Sequence, residues 1–366
     1  MPLALALLTL VLAACGSAPS STAAMPEPSQ TFLVGRIAVD LPASARYAEG
    51  SNGGTHNWTP IEEELWPAGL ALDGRDRDRA RQADWAARVA EAEAAVAQTV
   101  RSARNRELST EGLVLTDRAA DVRGRWARAL TWPDYTGRNT YVVLVADAGP
   151  VRLVTDKRVA TDRLEASLDL FTETLGAYVL PDAPGYGAED WLYLRHGAVA
   201  RPPEGYEAAG ARFDGVPPFQ DWDDPDAVGL RVTTSTRLKP LQGLSLLGRW
   251  RETQEVGLAR FFGGLLPDSW TASAGEVRAR PRAANGLAGE ELVSENVFEE
   301  KAGRSGPLGY LDFQWEHLGA PQDGGDPDVT VHAATPGGPP PSAAEADRAL
   351  ATWDAIVDSV RRHAPR

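Results

Sequence analysis

The chain offers few conspicuous groups for catalysis or metal binding: five histidines, one cysteine and two acidic loops. His56, His196, His317, His332 and His363 fall singly, and no two stand at the spacing that lets one element present a pair of metal ligands. The sequence contains no H-E-x-x-H, no G-x-x-x-x-G-K-[ST] and no G-x-S-x-G. A zincin centre, a phosphate-binding P-loop and the nucleophile elbow of an α/β-hydrolase are thereby removed. A single cysteine also rules out an intrachain disulfide, a Cys-based zinc site and an iron–sulfur cluster. The acidic loops Asp221-Trp222-Asp223-Asp224-Pro225-Asp226 and Asp323-Gly324-Gly325-Asp326-Pro327-Asp328 are rich in calcium-type oxygen ligands. Neither follows the D-x-D-x-D-G spacing, so solvated loops, or loops that meet a basic partner, are the competing readings.

The one cysteine is itself a candidate site. Residues 3–14, LALALLTLVLAA, carry no charge and are too short to cross a bilayer, which is the pattern of a secretory h-region. Leu12-Ala13-Ala14-Cys15 resembles the bacterial lipoprotein signal motif. That resemblance implies cleavage before Cys15, acylation of Cys15 and, with no Asp following it, residence at the outer membrane. Gly16 to Gln30 is small, polar and Pro-containing, as a flexible tether would be. Extended, it would reach about 45 Å at roughly 3.1 Å per residue.

The remaining residues must build a scaffold. The 366 residues exceed one ordinary hydrophobic core, and Pro181 to Glu189 reads as a linker between domains at 31–181 and 190–366. Lys plus Arg number 37 against 51 Asp plus Glu, a net −14 that argues against nucleic acid as a partner. FLVGRIAVDLP at 32–42 reads as a strand. Trp85, Val89, Ala92, Val96 and Val100 give 80–104 a helical period. Short strands are expected at 113–115, 126–132, 141–145 and 151–155, then a helix from Asp162 bearing Leu164, Leu168, Phe171 and Leu175 on one stripe.

Strands at 191–194, 197–200, 206–213 and 230–236, a Gly-interrupted helix within 241–262, and strands near 289–294, 309–315 and 329–333 follow. Ser342 and Glu345 form a capping box that starts the last helix, whose apolar face holds Leu350, Trp353, Ile356 or Val357, and Val360. The halves repeat one element order. The expected class is therefore α+β: two tandem duplicated modules, each an antiparallel sheet covered by helices on one face. Eleven tryptophans exceed either Phe or Tyr at eight each. Trp85, Trp126, Trp132, Trp315 and Trp353 fall on core faces, whereas Trp58, Trp66, Trp222 and Trp270 lie in loop-like sequence and are better candidates for partner contact. Trp222, Asp223, Asp224, Asp226 and Trp270 are the candidate partner contacts.

Three stretches resemble one family. Gly35-Arg36-Ile37-Ala38-Val39-Asp40-Leu41-Pro42 is similar to its opening strand, and Asn285-Gly286-Leu287-Ala288-Gly289-Glu290-Glu291 to its G-x-x-G-E-E turn. Phe313-Gln314-Trp315-Glu316, then 328–333 and 351–361, resemble its F-x-W-E strand, extended strand and terminal W-D helix. These belong to the lipase-immunity proteins of bacterial type VI secretion. The resemblance implies a two-domain periplasmic lipoprotein, without catalysis or cofactor, that clamps a cognate phospholipase effector between its domains. Many relatives carry a cysteine early in the second domain, which residues 192–195 lack. A periplasmic ligand-binding or envelope-scaffold lipoprotein is the alternative.

Overall fold

The computed structural model describes residues 29–49, 53–66, 74–187, 191–201, 205–221, 229–236, 245–256, 270–301, 306–321, 323 and 325–363. The stretch 32–42, expected as one strand, is a hairpin of β1 (Ser29–Val34) and β2 (Ile37–Pro42). Gly35 turns it at φ +59°, and a Cβ there would lie 1.9 Å from Thr234 Oγ1. Next come β3 (Arg46–Tyr47), β4 (Gly53–His56), β5 (Thr59–Leu65), α1 (Gly74–Arg104), β6 (Thr116–Ala119), β7 (Ala127–Pro133), β8 (Asn139–Ala148), β9 (Val151–Ala160), α2 (Leu164–Gly176) and β10 (Tyr178–Val179).

The second half runs β11 (Leu192–Tyr193), β12 (Ala198–Val199), β13 (Ala208–Asp214), β14 (Leu230–Ser235), α3 (Leu246–Val256), β15 (Trp270–Ala284), β16 (Leu287–Glu300), β17 (Leu308–His317), β18 (Asp328–Ala334), α4 (Ala343–Ser359) and β19 (Arg361–Arg362). Residues 113–115 are not a strand; β6 begins at Thr116.

One large antiparallel sheet passes through both halves in the order β15-β16-β17-β18-β14-β13-β4-β5-β9-β8-β7-β6, with β3 beside β13. Reading outward from the β13–β4 seam, each side is a hairpin followed by a meander in reverse, β4-β5-β9-β8-β7-β6 and β13-β14-β18-β17-β16-β15. The strand order is palindromic, as a twofold relation between duplicated modules requires. The two three-stranded sheets repeat it, β1-β2-β19 and β11-β12-β10. Each module's closing strand completes the other module's opening sheet: β10 pairs β12, and β19 pairs β2. Reciprocal backbone bonds of 2.8 Å between Gly35 and Tyr193 join the small sheets.

Helices cover both faces of the large sheet, not one. Phe171, Leu168 and Leu175 of α2 and Trp353, Ile356 and Val357 of α4 share the principal core with the small sheets and with Val142, Leu144, Phe313 and Trp315. On the opposite face, Trp85 and Ala92 of α1 pack on Leu130, Trp132, Val145 and Val154, and Leu246 and Leu247 of α3 pack on Leu292. The alternation of a strand places Leu144 and Val145, or Leu292 and Val293, on opposite faces, so these strands are apolar on both sides. The terminal helix starts at the capping box of Ser342 and Glu345, where the Ser342 side chain accepts from Glu345 N.

Candidate partner-binding face

Between α1 and α3, none of the described helices covers the outer face of the central strands. Cross-strand register lines up its floor: Gly53, Gly210, Thr233 and Thr330 form one row, and Arg212, Arg231, His332 and Gln314 the next. Opposed residues in an antiparallel ladder project to the same side, so these rows share the face that carries α1 and α3. Small residues at the seam keep the floor low while the helices rise on either side. The result is a saddle.

Each flank is held by charge. Arg88 of α1 binds Glu64 of β5 at 2.7 Å, and Arg152 of β9 binds Asp84 of α1 at 2.5 Å. Across the saddle, Leu247 N donates to Glu290 at 2.9 Å, Trp250 Nε1 to Glu276 at 3.0 Å and Arg249 to Glu316 at 2.6 Å. Acidic side chains on β15, β16 and β17 thereby fix α3. Partial burial pushes the Asp156 carboxyl up, with the Arg88 charge opposing it.

The polar groups of the floor are paired with one another. His332 Nε2 lies 2.6 Å from Asp312 Oδ1, and Gln314 donates to Asp312 Oδ2 at 2.7 Å. A depression of about 320 Å³ is bounded by Arg231, Thr233, Gln314, Thr330 and His332. Another of about 260 Å³ lies beside α1 between Glu62, Arg88, Glu91, Trp132 and Asp156. Charged groups line both, beside Trp132, Val143 and Val154 in the second, a mixed polar and apolar surface of the kind found at protein interfaces. Among the described residues, no group of three His, Cys, Asp or Glu side chains could hold a metal ion.

Cys15, Trp222, Asp223, Asp224 and Asp226 lie outside the described residues. Trp270 opens the edge strand β15 opposite Glu300, half-buried and apart from the saddle floor. Trp66, expected in a loop and free for contact, is buried and donates to Asp147 at 3.3 Å. The second acidic loop turns inward: Asp326 accepts from Ala320 N at 3.0 Å and pairs with His317 at 3.1 Å and with Arg362, while Asp328 accepts from Gly319 N at 2.8 Å. Its carboxylates close a turn, so the calcium reading has no support there. Arg231, Thr233, Thr330 and His332 were missed because they come from two strands about 100 residues apart, and only pairing of β14 with β18 brings them together.

Residues 223–364 match the family described as the Tle cognate immunity protein 4 C-terminal domain. The match covers the carboxy-terminal part of the chain, 142 of its 366 residues. The whole fold is similar to the apo immunity protein TplEi of T6SS from Pseudomonas aeruginosa, with a TM-score of 0.60 and 17% identity over 92% of this chain and 98% of that chain. It is also similar to a chain of the crystal structure of a Tle4–Tli4 complex, with a TM-score of 0.60 and 18% identity at the same coverage. A third similar structure is TplEi complexed with "L" peptide, with a TM-score of 0.56 and 19% identity. No curated protein matches. The matched segment includes β14, α3, the β15–β18 meander and α4, and so forms one flank and half the floor of the saddle.

Proposed function

We propose that this protein is a non-catalytic immunity protein that binds and inhibits a type VI secretion phospholipase effector in the periplasm. The effector is gripped between the two modules, against the saddle. Cys15 carries the lipid that holds the protein at the outer membrane. The observation that carries this reading is the match of residues 223–364 to a cognate immunity domain. Physical arguments agree with it. A two-module saddle offers a broad polar surface with exposed Arg231 and Glu62 on opposite sides of the seam, where complementary charge on a partner would set orientation. A tethered inhibitor gains effective concentration where a lipase meets its substrate.

The test is survival. Cells expressing the cognate effector directed to the periplasm should lyse without this protein and survive with it; equal killing in both overturns the proposal. Membrane fractionation of a Cys15→Ser variant tests the anchor separately. The variant should move to the soluble periplasmic fraction, and unchanged fractionation would reject acylation at Cys15.

A further inference from the structure

The β4–β5 turn consists of Asn57 and Trp58 alone, between the paired residues His56 and Thr59. Both have positive φ, 45° and 65°. Two-residue hairpin turns of this kind favour Asn-Gly, because the second position sits in the left-handed region that a side chain disfavours. Here that position holds a tryptophan, and its side chain is not committed to the core: Trp58 is 48% exposed, in contrast to the buried Trp66, Trp315 and Trp353. A bulky residue kept both strained and exposed is poorly explained by stability.

The ring is nevertheless held in place. It stacks on Tyr206 with centroids 5.1 Å apart and planes at 29°. Trp58 N donates to Tyr206 O at 3.3 Å, and Lys157 Nζ donates to the Trp58 carbonyl. Gly205, at φ +60°, lets the chain pass beneath; a Cβ there would lie 2.9 Å from Asn57 Oδ1. The neighbouring Glu207 is locked by Arg36, whose Nε and Nη2 donate at 2.8 and 3.1 Å. The Tyr206 platform therefore hangs from a buried ion pair between the modules. Trp58 and Tyr206 stand at one end of the β4–β13 seam, one ring from each module.

We infer that Trp58 is a pre-positioned anchor that enters an apolar recess on the effector. The inference rests on the proposed immunity function and adds a specific contact to it. An exposed indole held in one orientation loses little freedom on binding, and buried tryptophans are frequent hot spots. A protein recess is favoured over a membrane surface because the chain carries a net −14, which anionic headgroups repel.

The experiment titrates the full chain against its cognate effector, with phospholipase turnover as the readout. Trp58→Gly should raise the concentration for half-inhibition about 30-fold or more, the loss expected of a hot spot. Trp58→Phe should lose less. Tm should change little for Trp58→Gly, since the turn strain that glycine relieves offsets the lost stacking on Tyr206. Inhibition by Trp58→Gly equal to that of the unmodified protein overturns the inference and leaves the functional reading standing. No inhibition by the unmodified protein overturns both. Loss confined to sedimentation with phosphatidylglycerol vesicles, with inhibition intact, overturns the inference and assigns Trp58 to the membrane.

Discussion

Arg361 of the last strand grips Asp40 of β2 through both guanidinium nitrogens, at 2.9 and 3.0 Å, across 321 positions of sequence. Burial would raise the Asp40 carboxyl, but hydrogen bonds from Arg361 and Thr31 outweigh it and hold the group below the usual carboxylate range. Ser359 Oγ accepts from Asp40 N at 2.9 Å in the same place. The end of module two is thus fastened into the beginning of module one.

Exchange of closing strands makes the modules one folding unit. Urea unfolding should show a single transition, coincident by tryptophan fluorescence and far-ultraviolet circular dichroism. Arg361→Ala should cost about 1 kcal/mol, the upper range for a partly exposed ion pair. Ending the chain at Val360 should cost more, because it also strips β2 of its backbone partner strand. Two separated transitions in the intact chain would contradict this account.

A second prediction concerns pH. Burial pushes the Glu63 carboxyl up to about 7, against the opposing hydrogen bonds from Tyr178 and from the backbone N–H groups of His196 and Arg195. Burial, then the Arg195 charge, lowers the His196 imidazole to about 4. Glu63 binds a proton more tightly folded than unfolded between its ordinary 4.5 and 7, so its contribution is full in acid and lost as pH rises through that window. His196 binds one less tightly folded between about 4 and its ordinary 6.5, so its contribution is full above 6.5 and lost as pH falls. The two oppose each other over 4.5 to 6.5. Glu63→Gln should therefore make Tm fall more steeply from pH 7 to pH 5, and His196→Gln should make it rise. Parallel profiles for both variants would reject the assignment.

The third prediction addresses the edge strand. Glu291, fully buried, accepts from Arg278 at 2.8 Å, Arg280 at 2.8 Å, Arg282 at 2.6 Å and Trp353 Nε1 at 2.7 Å. Arg282 also donates to Asp354 and Asp358 of α4, both at 2.7 Å. Removing one partner from a buried ionic network costs about 3 to 5 kcal/mol. Glu291→Ala should show a loss of that order in the unfolding free energy from a denaturant titration, with α4 the first region to lose amide protection in hydrogen exchange.

The fourth concerns the saddle. Arg231 is exposed and carries no core packing, so Arg231→Glu should change stability by less than about 0.5 kcal/mol. Effector affinity should nevertheless fall, mainly through slower association at low salt. Surface plasmon resonance with unchanged association across salt concentrations would place the partner elsewhere.

Local patterning made much of the chain legible. The 3.6-residue period gave away α1 and α2, the Ser342–Glu345 box marked the start of α4, and repeated element order pointed to duplication. The long strand β15 was not legible, because its alternation is of arginines: Arg278, Arg280 and Arg282 face a buried glutamate and not an apolar core. The short hairpin β4–β5 was equally hidden, since Gly53, Gly54 and an acidic run carry little strand signal. Helices were expected on one face because an amphipathic stripe specifies that a helix is buried, not against which side of a sheet.

From sequence alone came the element types, the α+β class, the repeated order and the excluded chemistries, all properties of neighbouring residues and of composition. Only the tertiary structure decided which strands join the modules, that β10 and β19 change places, and that Arg231, Thr233, Thr330 and His332 share one floor. The physical reason is that strand pairing is settled by backbone hydrogen bonds between segments distant in the chain. Any strand edge can make those bonds, and no local pattern records which one does.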